Sequence, residues 1–309
     1  MDTRGARNRT ITCTAEEIAR AASQCPALAQ PVDAAGITDR IFFQDFFQAV
    51  PFLPPKCVDL LILDPPYNLT KNYGGRAFHE KKQDDYQTWF ERVIAHLLPV
   101  LKPTATVYVC SDWRTSTLIF PILDSHFRVQ NRITWEREKG RGARRNWKNN
   151  TEDIWFCTLS NDYCFNLDAV KLSRRVIAPY RNADGSPKDW QQTQSGNFRL
   201  THPSNLWTDI TVPFWSMREN TSHPTQKPEK LIAKLILASS NEGDLILDPF
   251  SGSGTTAVVA RKLKRHFCGI EQNVEYCAWT LKRLQMAENE PEIQGYHNGV
   301  FWERNTTPK

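Results

Sequence analysis

The feature that most constrains the fold of this chain is a short aliphatic run that ends at two prolines. Residues 58–63 read Val-Asp-Leu-Leu-Ile-Leu, and Asp64, Pro65, Pro66 and Tyr67 follow directly. Such a run is typical of a buried strand in a parallel sheet. Proline cannot donate the hydrogen bonds that would continue a strand, so the chain must turn out of the sheet. We therefore expect an acid and an aromatic ring at the carboxyl end of a central strand, where open α/β sheets bind ligands.

This tetrapeptide suits the methylation of an exocyclic amino group. The lone pair of such an amine in adenine or cytosine is delocalised into the ring, which makes the nitrogen a poor nucleophile. The Asp64 carboxylate and the Pro65 carbonyl could accept both N–H bonds and so localise the lone pair, while Tyr67 could stack on the base. For these four residues alone, an ordinary turn with a solvated aspartate is the alternative interpretation.

The whole chain supplies enough material for one large core with an insert. Its 309 residues carry a net charge of +5, which permits a nucleic-acid partner without requiring one. The eight cysteines form no CxxC pair, so we expect reduced thiols, no disulfide framework and no metal site. Without a long apolar run or a secretory signal, the sequence predicts a cytoplasmic protein and no membrane partner.

A second strand–turn–helix unit lies near the end of the chain. Residues 244–248 form another short apolar run that ends at Asp248, and a turn with Gly252 and Gly254 follows. Glycines let the backbone approach a ligand closely. Glu271 comes 23 residues after Asp248, at the end of the next expected strand, where an acid can bind a ribose.

The glycine turn lacks both a P-loop lysine and the third glycine of a pyrophosphate-binding turn. We infer a mononucleoside ligand without a pyrophosphate. S-adenosylmethionine fits this description, and Asp248 would lie near the ammonium of its amino-acid tail. An acid and two glycines that serve only the turn are the alternative.

The remaining pattern predicts an α/β order of elements with a polar insert. Apolar spacing predicts helices over 86–101, 113–124, 229–240, 257–264 and 274–288, and strands over 40–46, 58–63, 106–110, 131–135, 152–157, 162–166, 244–248 and 266–271. We divide the chain into an N-terminal arm (1–37), a catalytic half (38–167), an insert that reads the substrate (168–221), a cofactor half (222–288) and a C-terminal tail (289–309).

Three segments outside these elements carry separate expectations. The arm should be loosely packed apart from a short helix that Thr14 caps and that runs to about Ala22. Residues 68–84 read as a mobile loop over the strand edge. Residues 137–148 contain six basic residues and one acid, beside Trp147, and suit contacts to phosphate; a solvated surface loop is the alternative.

The motifs and their order resemble the amino-directed DNA methyltransferases of the beta group. Asp-Pro-Pro-Tyr at 64–67 comes first, a His-Pro-Thr-Gln-Lys-Pro signature follows at 223–228, and Phe-x-Gly-x-Gly comes last at 250–254. The resemblance covers roughly 38–288. It implies a Rossmann-like α/β methyltransferase fold with a mostly parallel central sheet flanked by helices, and a target-recognition region at 168–221.

The resemblance also implies roles for individual residues. Asp64, Pro65, Pro66 and Tyr67 would hold a flipped target base. Asp45 would lie near the adenine of the methyl donor, S-adenosylmethionine, although the family's usual Gly-Asp is Gln44-Asp45 here. The full set of expected cofactor-binding residues is Asp45, Asp64, His223, Pro224, Thr225, Lys227, Asp248, Phe250, Gly252, Gly254, Thr255 and Glu271.

The substrate stays open between adenine N6 and cytosine N4. In this family, the Asp64 and Tyr67 form of the motif favours adenine, whereas a Ser-Pro-Pro motif would favour cytosine. The sequence also leaves open an RNA amino methyltransferase and a non-catalytic DNA-binding regulator on the same fold. The expected partner is double-stranded DNA, and neither a separate cognate restriction endonuclease nor a homodimer is decided by the sequence.

Overall fold

The computed structural model describes residues 7–73, 76–137, 145–176, 180–193 and 196–303. Its strands are β1 (Arg40–Phe43), β2 (Val58–Leu63), β3 (Lys71–Tyr73), β4 (Arg76–Phe78), β5 (Leu101–Ser111), β6 (Arg128–Glu136), β7 (Thr151–Thr158), β8 (Leu172–Arg175), β9 (Gln191–Thr193), β10 (Gly196–Thr201), β11 (Leu206–Trp207), β12 (Leu245–Asp248), β13 (His266–Glu271), β14 (Tyr296–His297) and β15 (Val300–Trp302).

The α-helices among these residues are α1 (Ala15–Gln24), α2 (Ala34–Ile37), α3 (Phe46–Ala49), α4 (Gln83–Leu97), α5 (Trp113–His126), α6 (Glu229–Ser239), α7 (Thr255–Lys262) and α8 (Val274–Asn289). Short 3₁₀ turns cover Val50–Phe52, Leu98–Val100 and Leu167–Val170. In the described part of the chain, no helix combines the length and the apolar character needed to cross a membrane.

The centre of the fold is an eight-stranded sheet in the order β1-β13-β12-β2-β5-β7-β6-β11. The first five strands in this order run parallel, and β7 is antiparallel to both of its neighbours. Strand β12 therefore lies directly beside β2. The next strand of this sheet after β12 is β13, on one side of the pair, and the next strand after β2 is β5, on the other side. A topological switch point therefore lies between β12 and β2. The expected α/β fold with a mostly parallel sheet is confirmed.

Successive residues of β2 point to opposite faces of the sheet and enter two separate cores. Leu60 and Ile62 pack in a cluster with residues of α6, α7 and α8. Leu61 and Leu63 pack in a second cluster with residues of α4 and α5. A strand that is apolar on both faces needs this covering on both sides, which explains why residues 58–63 lack the alternation of a half-exposed strand.

The described part of the N-terminal arm, residues 7–37, is not loosely packed, contrary to expectation: outside the expected helix, Ile11, Leu28 and Ile37 are buried. The Thr14 side chain accepts a hydrogen bond from the Glu17 amide at 3.2 Å, and the Glu17 side chain accepts one from the Thr14 amide at 2.8 Å. Ala21 is fully buried in the core cluster that also contains residues of α8, and Lys282 of α8 pairs with Glu17 at 2.8 Å. The apolar face of α1 is thus covered, and this covering orders the arm.

Two other local expectations were also wrong. Residues 68–84, expected as a mobile loop, contain the β3–β4 hairpin, and Asn68 exchanges two hydrogen bonds with the backbone of Lys81 at 3.0 and 2.8 Å. Residues 162–166 form no strand. The Asn166 amide instead donates to the carbonyl of Ala238 at 2.6 Å, and its side chain donates to Ser240, so this segment caps the end of α6.

One helix ends earlier than expected. We expected a helix over 86–101 that stops at Pro103, but α4 ends at Leu97 and β5 begins at Leu101. Pro99 lies in the intervening 3₁₀ turn, where its ring and missing amide hydrogen favour the change of direction. Pro103 itself is part of β5, beside the register shift between β2 and β5.

The insert and the tail fold together on one side of the main sheet. Strands β8, β9 and β10 of the insert join β14 and β15 of the tail in a five-stranded sheet of order β14-β15-β8-β10-β9. Strand β11 instead extends the central sheet by pairing with β6. The described part of the tail is therefore structurally part of the insert's sheet.

Candidate active site

A cleft opens at the carboxyl ends of the central strands and encloses about 970 Å³ of empty space, including its mouth. It lies at the switch point between β2 and β12, so the two sequence motifs meet there although they lie far apart in the chain. The expected site residues that line it are Asp45, Asp64, Pro65, Pro66, Tyr67, His223, Thr225, Lys227, Phe250, Gly252 and Glu271.

Four polar side chains form what we call the Asp64 cluster: Asp64, Tyr67, Glu152 and Lys227. The Lys227 Nζ donates to both oxygens of Asp64, at 2.8 and 2.7 Å, and lies 3.3 Å from Glu152 Oε2. The Tyr67 hydroxyl lies 3.0 Å from Asp64 Oδ1 and 3.2 Å from Glu152 Oε2. Charge-assisted hydrogen bonds thereby hold together three parts of the chain that are far apart in sequence: the turn at 64–67, Glu152 and Lys227.

The turn after β2 is fixed from behind. Tyr86 of α4 is fully buried and its hydroxyl donates to the Pro66 carbonyl at 2.9 Å. The amide of Asn68 donates to the Thr115 hydroxyl at 3.1 Å, which anchors the far side of the turn. Because Pro65 and Pro66 have no amide hydrogen of their own, these neighbouring contacts determine where the Asp64 and Tyr67 side chains point.

Electrostatics fix the protonation states of two members of the cluster, Lys227 and Tyr67. Burial alone would lower the pKa of Lys227, but the Asp64 and Glu152 carboxylates outweigh burial and raise it. Burial raises the pKa of Tyr67 well above its usual value, and the same two carboxylates raise it further. The lysine therefore remains an ammonium and the tyrosine remains a neutral phenol that can donate a hydrogen bond.

The glycine turn brings its backbone to the other wall of the cleft. Gly252 has φ of +54°, and a Cβ at this position would lie 3.0 Å from His223 Nε2. The Gly252 and Asn273 amides both donate to Glu271, at 2.8 and 2.7 Å. Only glycine combines this backbone conformation with this close approach, and the result is a wall without a side chain, bounded by a carboxylate.

Two acids in this region have raised pKa values in the free protein. Burial raises the pKa of Glu271 to about 7 and the pKa of Asp248 to about 7. Asp248 accepts hydrogen bonds from the Phe250 amide at 3.2 Å and from the Thr256 hydroxyl at 2.5 Å. A cationic ligand near Asp248, or ribose hydroxyls that donate to Glu271, would favour the ionised forms.

These features fit S-adenosylmethionine. Glu271 can accept from a ribose at the cleft wall, where the Gly252 backbone packs against His223, and Asp248 in the adjoining smaller cavity can offer a counter-charge to a positively charged tail. An aromatic wall completes the cleft, because Phe46 stacks on Phe250 with 5.0 Å between ring centroids. Such rings suit the flat face of an adenine.

Comparison with known proteins identifies the family of this site. The profile of the DNA methylase family matches residues 58–282. The chain belongs to the DNA methylase family. The sequence-based assignment to amino-directed DNA methyltransferases is confirmed, and S-adenosylmethionine as the methyl donor is confirmed with it.

Individual relatives and solved structures agree with the assignment to the DNA methylase family. The chain is 36% identical to the DNA adenine methyltransferase YhdJ of Escherichia coli K12, over 77% of this chain and 79% of the relative. It is 33% identical to the type II methyltransferase M.HpaI of Haemophilus parainfluenzae, over 81% and 75%. The crystal structure of the M1.HpyAVI–SAM complex aligns with a TM-score of 0.53 at 25% identity, over 79% of this chain and 98% of that one.

Some expected residues of the methylase lie outside the main cleft. Gly254 faces away from it: a Cβ there would lie 2.3 Å from Thr280 Cγ2, so this glycine allows the turn to pack against α8. The Thr255 hydroxyl donates to the Lys227 carbonyl at 3.0 Å and, with Asp248, lines a smaller cavity under the turn. Pro224 lines a neighbouring cavity that also includes Glu152 and Arg137.

Sequence reasoning missed Glu152 of the methylase. This carboxylate is 3% exposed, precedes the apolar part of β7 together with Asp153, and pairs with Arg137 at 2.8 Å. The available signal was a pair of acids at the beginning of a strand that continues as apolar residues. Sequence reasoning also missed Phe46, whose only signal was its position directly after Asp45.

The basic loop expected at 137–148 lies partly outside the described residues, because 138–144 are not among them. At its two ends, Arg137 pairs with Glu152, and Arg145, Trp147 and Lys148 are exposed, Trp147 to 92%. The Arg137–Glu152 pair connects the base of this loop to the Asp64 cluster of the methylase.

Proposed function

We propose that this protein transfers a methyl group from S-adenosylmethionine to the N6 amino group of an adenine flipped out of double-stranded DNA at a specific site. The observation that carries the proposal is the meeting of Asp64 and Tyr67 with Gly252 and Glu271 in one cleft. The relative named as a DNA adenine methyltransferase supports adenine over cytosine. The fold alone does not distinguish them, since the PvuII cytosine-N4 methyltransferase aligns with a TM-score of 0.58 at 15% identity.

The residues that would hold the methyl donor come from both halves of the chain. Glu271 would accept from the ribose, and Asp45 with the Phe46–Phe250 wall would bound the adenine end. Asp248, which lines the adjoining smaller cavity with Asp64 and Gly252, would face the amino-acid tail. When bound, S-adenosylmethionine supplies an electrophilic methyl group. Burial lowers the pKa of His223 to about 3, so His223 stays neutral beside Gly252 and adds no charge that would repel a cation.

The catalytic residues act by holding the amine. Asp64 accepts one N–H bond and the Pro65 carbonyl accepts the other, which localises the lone pair on nitrogen. Flipping the base costs a few kcal/mol, which contacts such as stacking on Tyr67 offset. The amine loses its proton after attack, when it has become acidic, so no strong general base is needed. Alignment of the two reactants supplies most of the rate enhancement.

Recognition of the DNA site is assigned to the insert at 168–221, and the loop at 137–148 is proposed to contact phosphate. Arg145 and Lys148 are exposed and carry the positive charge that phosphate contacts need. A cognate restriction endonuclease, a homodimer and a cytoplasmic location stay predictions. Sedimentation of the purified protein with and without DNA checks the dimer.

The proposed function is tested by incubating the purified protein with unmethylated bacterial genomic DNA and methyl-labelled S-adenosylmethionine, then separating the nucleosides. We expect label in N6-methyladenine. Label in N4-methylcytosine would keep the mechanism and change the substrate. Label in neither nucleoside, with binding of S-adenosylmethionine intact, would contradict DNA amino methylation; repeating the reaction with RNA would then test the RNA alternative.

A further inference from the structure

Lys227 binds the carboxylate oxygens of Asp64 that the proposed reaction needs to accept the target amine. Its Nζ donates to Asp64 Oδ1 and Oδ2 at 2.8 and 2.7 Å, while the Tyr67 hydroxyl lies 3.0 Å from Oδ1. A carboxylate offers about four lone-pair sites, so these contacts take most of its accepting capacity. The target amine must therefore compete with a buried ammonium for the same oxygens.

The charge of Lys227 is a second obstacle. Methyl transfer places positive charge on the amine nitrogen before the proton is lost, and an ammonium on the same carboxylate opposes that charge. Simple removal of the ammonium from Asp64 would also be unfavourable. Lys227 is buried, and a buried charge without a partner is strongly destabilising.

The position of Glu152 removes both obstacles, because it offers the ammonium of Lys227 a second carboxylate partner. It is 3% exposed, Arg137 fixes it at 2.8 Å, and its Oε2 lies 3.3 Å from the Lys227 Nζ. A cavity with about 670 Å³ of empty space lies on this side of the lysine, lined by Arg137, Glu152 and Lys227. A small displacement would thus exchange one carboxylate partner for the other without leaving the ammonium unpaired.

We infer that Lys227 is a positioning residue that exchanges between Asp64 and Glu152. Without a target base it holds the two oxygens of Asp64 aligned. When the amino group of the base donates to Asp64, the ammonium moves to Glu152. No covalent bond changes in this step. The inference rests on the proposed function and assigns to Lys227 a role beyond the cofactor contact expected from its motif.

The first test removes the receiving carboxylate. Glu152→Gln keeps the shape of the side chain but lacks the charge that would draw Lys227 away from Asp64. We expect kcat for labelling of genomic DNA to fall about 10- to 100-fold, the range expected from losing one hydrogen bond to a charged group. The dissociation constant for S-adenosylmethionine and the KM for DNA should stay within about threefold, a change of less than one charged hydrogen bond.

Asp153→Asn is the matched control. Asp153 is the next residue on β7, is also buried, and contacts Thr134 and Arg132 rather than the Asp64 cluster. The same change of charge there should leave kcat close to that of the wild type. Binding of S-adenosylmethionine by each variant verifies that it has folded.

The second test asks whether Glu152 acts through Lys227. Lys227→Met alone should lower kcat. In the Lys227→Met background, Glu152→Gln should cause little further loss, because the ammonium that Glu152 receives is absent. An equal loss in both backgrounds would overturn the inference, since Glu152 would then act by itself.

A direct structural readout completes the design. In a crystal structure with a DNA duplex and the inert cofactor analogue sinefungin, the Nζ of Lys227 should lie closer to Glu152 than to Asp64. A lysine still bound to both Asp64 oxygens beside a flipped base would overturn the inference. Wild-type kcat in Glu152→Gln would overturn the inference alone, whereas a wild-type protein that methylates no DNA would overturn the proposed function and the inference with it.

Discussion

At the scale of single residues, function depends on a few side chains whose charges are balanced inside the protein. Asp64 and Glu152 carry two negative charges in the cleft, and Lys227 and Arg137 carry two positive ones. A neutral Tyr67 lies between them. Changes that remove one charge from this set should affect methyl transfer more than folding of the whole domain.

Asp64→Asn should abolish most of the activity while leaving the cofactor bound. The amide would present N–H donors to Lys227, and its neutral carbonyl oxygen would accept the amine's hydrogen bond more weakly than the carboxylate does, so we expect a loss of about 100-fold or more in kcat. Asp59→Asn is the control: Asp59 lies on the same strand β2 but at its other end, where it contacts Lys102 and the Leu245 amide. Near-normal turnover in Asp64→Asn would refute the proposed role.

The affinity for S-adenosylmethionine should rise as the pH increases through about 7. Burial raises the pKa of Asp248 and of Glu271 to about 7, and the ligand favours the ionised form of each. Glu271→Gln should weaken binding and flatten this dependence. Calorimetric titrations between about pH 6 and 7.5 measure the effect, and a flat wild-type profile would contradict it.

The same two acids should contribute the opposite trend to the stability of the free protein. Unfolded aspartate and glutamate lose their protons near pH 4, whereas in the folded state Asp248 and Glu271 keep theirs up to about pH 7. Their contribution to the free energy of unfolding is therefore full below about pH 4 and is lost as the pH rises to about 7.

At the scale of elements, two glycines on either side of β12 meet different demands: Gly254 in the turn before α7 and Gly243 in the turn after α6. Gly254 has φ of +75° and no room for a Cβ, because Thr280 of α8 lies against it. Gly243 has φ of +85°, but nothing lies within 4 Å of its Cβ position. Substitutions at these two positions therefore distinguish the energetic cost of backbone strain from the cost of steric contact.

Gly254→Ala should destabilise the protein more than Gly243→Ala. The second change should cost about 1–2 kcal/mol through backbone strain alone. The first adds the displacement of Thr280, and overpacking of this kind typically costs about 1–3 kcal/mol more. Urea unfolding measures both. Equal losses would mean that α8 moves away from the turn at no cost.

A buried ion triad joins the insert to α6. Asp209 contacts Lys230 at 2.9 Å and Lys234 at 2.8 Å, and all three are nearly inaccessible. Asp209→Asn would remove the negative charge that two buried ammonium groups share, and we expect a loss of about 3–5 kcal/mol in unfolding free energy. Asp189→Asn, which breaks a half-exposed pair with Arg199, should cost less than about 1 kcal/mol.

The elements that bear the motifs were predictable from the sequence, because their signals are local. The apolar run at 58–63 and the glycine turn at 250–254 each predict a strand end at a ligand site. The role of Glu152 was not predictable, since it depends on β7 bringing that carboxylate to Lys227, which lies far away in the chain. The packing of the arm was misjudged for the same reason: the cap of α1 is a local signal, but the burial of Ala21 and Ile37 depends on residues far away in the chain.

At the scale of the whole molecule, a net charge of +5 should make DNA binding sensitive to salt. Replacing both Arg145 and Lys148 with alanine should weaken binding to all sequences alike. It should also reduce the slope of log affinity against log salt by about 0.9 for each phosphate that the variant no longer neutralises. Arg128→Ala, an exposed change at the other end of β6, is the control. An unchanged slope in the double variant would place these residues away from the phosphates.

The position of β12 also determines when a growing chain can become active. Leu61 pairs with Leu247, although most of the polypeptide is synthesised between them. Until β12 has left the ribosome, β2 has a vacant edge and the acid at position 64 faces no methyl donor. Pairing over so long a separation is a slow step in folding. A truncated translation product would thus carry the amine-holding motif without the means to modify DNA.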